Sequence, residues 1–518
     1  MRLGALDVGS NSIHLVIADV HPDGRLQVVD RVKEMVRLGR RTFTTGRLAP
    51  ETMDLAVRTV KTFGRLVRAR RVEHLRAVAT SAVREARNGL SFVRRLRREA
   101  GMPVRVISGA EEARLIFLAA RHALGLDGGP HLLVDVGGGS VELVLVQDGR
   151  PQWMRSLPLG VARLTERFLA DDPPSAGQVR QLERHLGQAL GTLLDRVRHA
   201  GVVRAVGTSG TVNTLVAMAR AARGEEGTRL HGARATTAEI LRLRRRVLAV
   251  GAVERGELPG MDPKRSDLMP AAAVLVAFIL ERGGIGAITA CTWALREGVL
   301  LDLARHGRGR AATAAEVRRR SVEALAGEGA AHGRQVARLA LALFDALAGD
   351  LGLPAAAREL LEYAALLHDV GHRIDRDRHH RHSAYLIRNA ELLGFEPLEI
   401  ETIAQVARGH RKQIPRPSDP ELRALPPRTR RHVRALAALL RVADALDRTH
   451  FGVVRGVRAT RQGGRLVLWV DAGGENAELE LWAAERRVEL LSRLLGCPVR
   501  LRLERTQPRA ALPARAGR

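Results

Sequence analysis

Three short runs combine glycines with small hydroxyl residues, two of them behind an acid, in an order that suits phosphate chemistry. Asp135-Val-Gly137-Gly138-Gly139-Ser140 lies between apolar, branched runs at 132–134 and 141–146, which predict two β-strands. Glycine tolerates φ > 0 and lets the backbone approach a ligand, so the turn predicts a concavity of N–H groups facing phosphate oxygens. Asp135 before it and Glu142 after it add carboxylates that can hold a divalent cation or orient water. The same grammar opens the chain. Asp7-Val-Gly9-Ser10-Asn11-Ser12 leads into the apolar run 13–20, with Asp7 matching Asp135, Gly9 matching Gly137 or Gly138, and Ser10 and Ser12 matching Ser140. A third run, Gly207-Thr208-Ser209-Gly210, follows the apolar residues 202–206.

A further carboxylate is singled out by capping logic. Ser108-Gly-Ala-Glu111 predicts a capping box, with Ser108 as N-cap and Glu111 reaching back. Glu112, one step around the helix, is thereby left free to face a cleft. Positioning these groups takes two α/β lobes, at 1–125 and 126–305. The first predicts strands near 3–8, 13–20, 26–36, 75–79 and 104–107, with helices at 49–69, 81–100 and from 111. The second predicts the glycine hairpin, a helix at 175–199, the strand 202–206, a helix from 212, an apolar helix at 271–280 and a strand at 287–290.

A different set of residues follows. Residues 306–314, rich in Gly, Arg and Ala, predict a linker, and 315–450 predict a helical region. It carries His332, His368-Asp369, His382, His410 and Asp444 in order. Imidazole and carboxylate donors suit divalent transition metals, and paired metals can activate water against a phosphoester. From 451 a small α+β cap is predicted, with strands at 457–459, 465–471, 477–482 and 499–503 and a helix at 483–495. Residues 505–518 read as a disordered basic tail.

The two hairpins and the third glycine run resemble the phosphate-binding loops of the actin, heat-shock ATPase and sugar-kinase superfamily. Within it, the strings DVGSNSIHLVIADV (7–20), ATSAVREARNG (79–89), VISGAEEARLIFLAA (106–120), LLVDVGGGSVELVLV (132–146), LPLGVARLTERF (157–168), GTSGT (207–211) and WALREGVL (293–300) are similar to the exopolyphosphatases and guanosine pentaphosphate phosphohydrolases. The likeness runs collinearly from residue 3 to about 450. It implies an α/β fold of two actin-like (ribonuclease-H-like) lobes, then an all-α HD-type domain (306–450) and the α+β cap (451–504). It also implies that Glu112, the second glutamate of EEAR, is the catalytic base. Arg84 and Arg265 would bind phosphate with the three glycine runs, and Mg²⁺ would sit near Asp135 and Glu142. A homodimer is expected too, and with only two cysteines the cytoplasm is the default compartment. The histidine and aspartate series resembles the HD phosphohydrolase superfamily, which implies a second metal site. Cys291-Thr292 stands before Trp293 where relatives carry Ser-Glu or Ser, which leaves the role of that spot open.

Composition narrows the partners. The chain has 518 residues, only two cysteines and a net charge of +28, nearly all of its basic residues being arginine. Too few cysteines occur for a disulfide framework. The longest apolar run, 271–280, is about half a membrane span. Residues 51–100 carry 13 basic against 5 acidic residues, and 401–450 carry 11 against 5. Such a surface favours a polyanion. With two tyrosines and nine phenylalanines, stacking platforms for single strands are scarce, which disfavours nucleic acid. Polyphosphate or guanosine pentaphosphate is the expected partner. The residues leave open a metal phosphohydrolase of nucleotides with a regulatory first half, and a non-catalytic sensor of the same ligands.

Overall fold

The computed structural model describes residues 1–21, 26–225, 230–305, 313–327, 330–412, 415–416 and 418–504. The chain folds as two compact units, Met1–Val317 and Arg318–Arg518. The expected tail at 505–518 and most of the expected linker lie outside the described residues.

The first unit contains two sheets built on one plan. In the first, β1 (Arg2–Val8), β2 (Ser12–Val20) and β3 (Leu26–Met35) form an antiparallel meander. The strands β4 (His74–Ala79) and β5 (Val104–Val106) then add in parallel beside β1, giving the order β3-β2-β1-β4-β5. In the second, β6 (Pro130–Val136), β7 (Val141–Gln147) and β8 (Arg150–Leu157) repeat the meander. β9 (Arg204–Thr208) pairs in parallel with β6, then β11 (Ala287–Ala290) with β9, and β10 (Arg234–Thr236) closes the edge antiparallel. The central strands are near-continuous apolar runs because helices cover both faces. Register makes the repeat exact at the chemical positions: Asp7 lies opposite His14, and Asp135 opposite Glu142.

Two expectations are corrected here, and two strands were not anticipated. The segment 81–100 is two helices, Ser81–Glu85 and Gly89–Ala100. Between them Asn88 clamps Leu48, accepting from its N–H at 2.9 Å and donating to its carbonyl at 3.0 Å. Residues 477–482 belong to the helix Glu478–Glu485, not to a strand. Their Glu-Leu alternation has strand period, but both residues are strong helix formers, and buried Glu480 anchors the helix by accepting from Thr449 Oγ1 at 2.6 Å. The strands β8 and β10 went unpredicted, being short or polar.

In the second unit, the helices Ala331–Leu347, Ala357–Leu367, His379–Asn389, Pro397–Arg408 and Pro427–Ala445 pack together. A three-stranded sheet of β12 (Gly456–Gln462), β13 (Arg465–Asp471) and β14 (Val499–Leu503) joins them. Helices and sheet share one hydrophobic core, running from Val322 to Leu501. Among the described residues no helix is long and apolar enough to cross a membrane.

Candidate active site

The two hairpin loops close in the same way. Gly9 N–H donates to the Ser12 carbonyl at 3.1 Å, and Gly137 N–H to the Ser140 carbonyl at 3.0 Å. Gly9 therefore corresponds to Gly137, and Ser12 to Ser140. The reason for the glycines differs from the one expected from sequence. Gly9, Gly137, Gly138 and Gly139 all avoid positive φ, and the left-handed residue is Ser209 in the third run, at φ 79°. What the glycines permit is close approach. A Cβ on Gly138 would lie 3.2 Å from Ser10 Cβ, and one on Gly139 2.4 Å from the Phe43 ring. The loops of the two sheets thus face each other across a cleft of about 230 Å³.

Gly160 takes part in this contact and was not anticipated as a site residue. It precedes the helix Val161–Phe168, whose first N–H groups donate to Gly137 and Gly138 carbonyls at 3.0 and 2.9 Å. A Cβ at 160 would meet Gly139 N at 2.3 Å. The Leu-Pro-Leu-Gly string was visible in the sequence, but its contact with the loop is tertiary.

Acids occupy one side of the cleft. Asp7, Glu112 and Asp135 line it, together with the three glycine runs from Gly9 to Ser12, Gly137 to Ser140 and Ser209–Gly210. Glu112 rises from the first turn of the helix Gly109–Leu124, whose N-cap Ser108 accepts from Glu111 N–H at 3.2 Å. The capping expectation is half met. The Glu111 carboxylate does not return to Ser108 but pairs with Arg105 at the surface. Glu112 is buried and accepts from Arg84 Nη1 at 2.9 Å. Burial pushes its carboxyl up to about 7, against the pull of Arg84 and with Asp7 and Asp135 adding to the rise. Burial also carries Asp7 to about 7, opposed by Arg296. It raises Asp135 as well, where the Thr208 hydroxyl holds it back. Glu142 stands well above the usual carboxylate range because it is buried near Glu112 and Asp135. Among the described residues, Asp7 Oδ1 and Glu142 Oε2 are buried without a hydrogen-bond partner.

Some expected site residues stand behind the cleft rather than on it. Glu142 is held by Ser156 Oγ at 2.7 Å. Gly207 and Thr208 belong to β9, and Thr208 acts by donating to Asp135. Arg84 reaches the site through Glu112 and also donates to the Ile107 carbonyl.

A basic side completes the cleft. Arg265 lines it, its guanidinium packed where a Cβ of Gly210 would fall. Sequence reasoning missed its companions Lys33, His14, Asn213 and Arg296. Arg296 donates to His14 Nδ1, so the opposite nitrogen carries the proton and donates to Ser12 Oγ at 2.6 Å. Burial and then Arg296 keep this imidazole neutral. Lys33 could have been found by register, since it pairs with His14 across β2 and β3. Thr292 also lines the cleft and bonds His231 Nδ1 at 3.1 Å.

In the second unit, the structure brings together His332, His368, Asp369, His410 and Asp444, but not His382. His382 is a third exposed and lies 3.9 Å from Asp375. One turn earlier, buried His379 occupies the inner position, its Nε2 3.2 Å from Asp369 Oδ1. The signal lay in helical phase: Ser383, Ala384 and Ile387 mark the inner face, which carries 379 and 380 rather than 382. Although burial opposes it, Asp444 and Asp447 hold His332 up to about 9.

The Ppx/GppA phosphatase family matches residues 16–306, and Ppx/GppA phosphatase, domain III, matches 317–463. Exopolyphosphatase 1 of Mycobacterium bovis is 37% identical over 303 residues, covering 58% of this chain and 88% of that protein. The Mycobacterium leprae protein of the same name is 36% identical, covering 58% and 89%. A crystal structure of an exopolyphosphatase from Cytophaga hutchinsonii superposes with a TM-score of 0.56 at 31% identity, covering 59% of this chain and 98% of that one. A Ppx/GppA member from Aquifex aeolicus gives 0.52 at 29% identity, covering 60% and 99%.

Proposed function

The chain belongs to the Ppx/GppA phosphatase family, and we propose on that premise that it is an exopolyphosphatase using Glu112 as its base. It is a hydrolase of phosphoanhydride bonds, releasing terminal orthophosphate from polyphosphate. The observation that carries the site reading is a buried carboxylate, Glu112, facing a cleft between two glycine loops and paired with Arg84. In this reading the terminal phosphoryl group lies between Gly9–Asn11 and Gly137–Ser140; the Gly9 and Gly137 N–H groups close the loops onto the Ser12 and Ser140 carbonyls, and those of Ser10, Asn11, Gly138, Gly139 and Ser140 face its oxygens. Arg265, Lys33 and Arg296 balance the remaining charge. Glu112 takes a proton from water as the water oxygen bonds to phosphorus. The bridging P–O bond breaks, and the chain leaves one phosphate shorter. Positioning and charge stabilisation suffice for phosphoryl transfer, and a base titrating near neutrality suits water activation.

A divalent cation fits the acidic side, because Asp7 Oδ1 and Glu142 Oε2 are buried and unpartnered. Asp135 and Glu142, with Asp7, would hold it, and Mg²⁺ is the ion we assign. When bound it supplies positive charge to the non-bridging phosphate oxygens. The same reading includes a homodimer in the cytoplasm, the former checked by sedimentation. Phosphate release from long-chain polyphosphate and from guanosine pentaphosphate, measured side by side with Mg²⁺, tests the substrate. Faster release from polyphosphate is expected; release from guanosine pentaphosphate alone would move the assignment to the family's other activity.

A further inference from the structure

We propose that Arg163 is a positioning residue for phosphoryl transfer: it turns the Gly139 carbonyl out of the cleft, aims the Ser140 N–H into it, and is itself gripped by the opposite lobe. The inference rests on the reading that the terminal phosphoryl group lies between the two hairpin loops. In a trans peptide the C=O and N–H point in opposite directions, so whatever holds a loop carbonyl outward turns the next N–H inward. Gly39 N–H donates to the Ser10 carbonyl at 2.6 Å, which aims the Asn11 N–H. Val161 and Ala162 N–H groups hold the Gly137 and Gly138 carbonyls at 3.0 and 2.9 Å, which aims the N–H groups of Gly138 and Gly139. The Gly139 carbonyl is held instead by a side chain, accepting from Arg163 Nε at 3.0 Å.

The second argument is where the charge of Arg163 is met. The residue stands in the first turn of the helix Val161–Phe168, where the helix dipole opposes a cation. Its compensation comes from the other lobe. Nη2 donates to Glu85 Oε2 at 2.6 Å, and the guanidinium carbon lies 4.1 Å from the centre of the Phe43 ring. Glu85 and Phe43 belong to the first lobe, Arg163 and Gly139 to the second. One planar guanidinium therefore spans the two, its Nε fixing a carbonyl of one lobe while its Nη2 and its face are fixed by the other. The side chain is 17% exposed, so these charge-assisted bonds are largely shielded from water.

The third argument is what else the anchor of Arg163 touches. Glu85 ends the short helix Ser81–Glu85, and its other oxygen accepts from Ser81 Oγ at 2.7 Å. From the same helix Ala82 N–H donates to Ser10 Oγ at 3.1 Å, and Arg84 Nη1 to Glu112 at 2.9 Å. Five residues thus fix a hydroxyl of the first phosphate loop, the carboxylate assigned as base and, through Arg163, a donor of the second loop. Phe43 packs at the same junction, since a Cβ on Gly39 or on Gly139 would run into its ring. With the lobes in this arrangement, base and N–H donors are set relative to one another before substrate arrives. Donors held in advance stabilise charge developing on phosphoryl oxygens without reorganising during the reaction.

The test measures steady-state phosphate release from long-chain polyphosphate by the full chain and by Arg163→Met, Arg163→Lys, Glu85→Gln and the double variant Arg163→Met/Glu85→Gln, each checked for folding by circular dichroism. Methionine keeps an apolar stem against Phe43 and removes the donors. Its kcat should fall by roughly 10²-fold, the scale of losing one preorganised donor. KM should stay within a few-fold, because the remaining phosphates of a long chain bind as before. Lysine can donate to the carbonyl but cannot grip carbonyl and carboxylate in one plane, so Arg163→Lys should lie between Met and wild type. Glu85→Gln, nearly isosteric and remote from substrate, should lower kcat by a smaller factor, and it carries the test should Arg163→Met fail to fold. Both residues act through one bond, so the double variant should lose no more than Arg163→Met does. A folded Arg163→Met or Glu85→Gln with wild-type kcat, a change confined to KM, or losses that multiply in the double variant overturns the positioning role. Glu112→Gln separates this from the site reading: turnover lost there but kept in Arg163→Met overturns the positioning role alone, whereas turnover kept in Glu112→Gln overturns both.

Discussion

The two units gather charged side chains by opposite means. In the first, two duplicated hairpins deliver backbone N–H groups and carboxylates to one cleft, which basic side chains also line. In the second, imidazoles on separate helices converge on Asp369 and Asp444, each oriented through its far nitrogen. The first arrangement suits a ligand that is itself a chain of oxygens, because amides and guanidinium groups stabilise charge without fixing it to one point. The second concentrates charge at one point, because its imidazoles converge on two carboxylates. The difference shows that the abundance of acids or histidines says little until their geometry is known.

Substitution of the two central acids breaks the comparison most sharply. Glu112→Gln should lower phosphate release by roughly 10²–10⁴-fold with the circular dichroism spectrum unchanged. Asp369→Ala should leave polyphosphate hydrolysis within a few-fold of wild type, since the phosphoanhydride chemistry is assigned to the first unit. Hydrolysis that survived Glu112→Gln and vanished in Asp369→Ala would reverse the two roles.

A smaller effect is expected from the packing that holds the loops. Gly160→Ala places a Cβ 2.4 Å from the Gly138 carbonyl oxygen. Overpacking of this kind costs roughly 1–3 kcal/mol, and here the strain falls on the phosphate loop, so turnover should drop together with thermal stability. Gly251→Ala, where a Cβ meets nothing within 4 Å, is the control and should change neither.

Ionic strength separates the cleft from the wider surface. Basic groups are also clustered in the second unit, where Arg378, Arg381, Arg408, Arg411 and Lys412 line a cavity of about 510 Å³. Each phosphate neutralised adds to salt dependence. Hydrolysis of long polyphosphate should therefore weaken more steeply with added salt than hydrolysis of short chains. Equal slopes for the two would show that only the cleft contacts substrate.

The smallest expected effects divide two neighbouring residues. Ser108→Ala removes an N-cap and should cost about 0.5–2 kcal/mol in chemical denaturation. Glu111→Ala, whose carboxylate meets Arg105 at the surface, should stay within about 0.5 kcal/mol. A larger loss at Glu111 would mean that it does complete the capping box in solution.

Local signals carried much of this protein. The duplicated Asp-Val-Gly strings, with apolar strands on both sides, specify the two hairpins because strand period, turn chemistry and the acid's place before the turn are all short-range properties. The phase of Glu112 against its N-cap is local too. Only tertiary packing decided the rest. Arg296 and Asn213 come to the cleft from elements far from the hairpins in sequence, and neither residue type announces a site. Gly160 is needed because a separate helix abuts the loop, and no property of its neighbours announces that contact. His379 displaced His382 because a histidine-rich run fits either helical face until the core behind Ile387 fixes the rotation. Glu142 keeps its register opposite Asp135 yet sits behind the cleft, since alternation assigns a side chain to one face of a sheet but not to what covers that face.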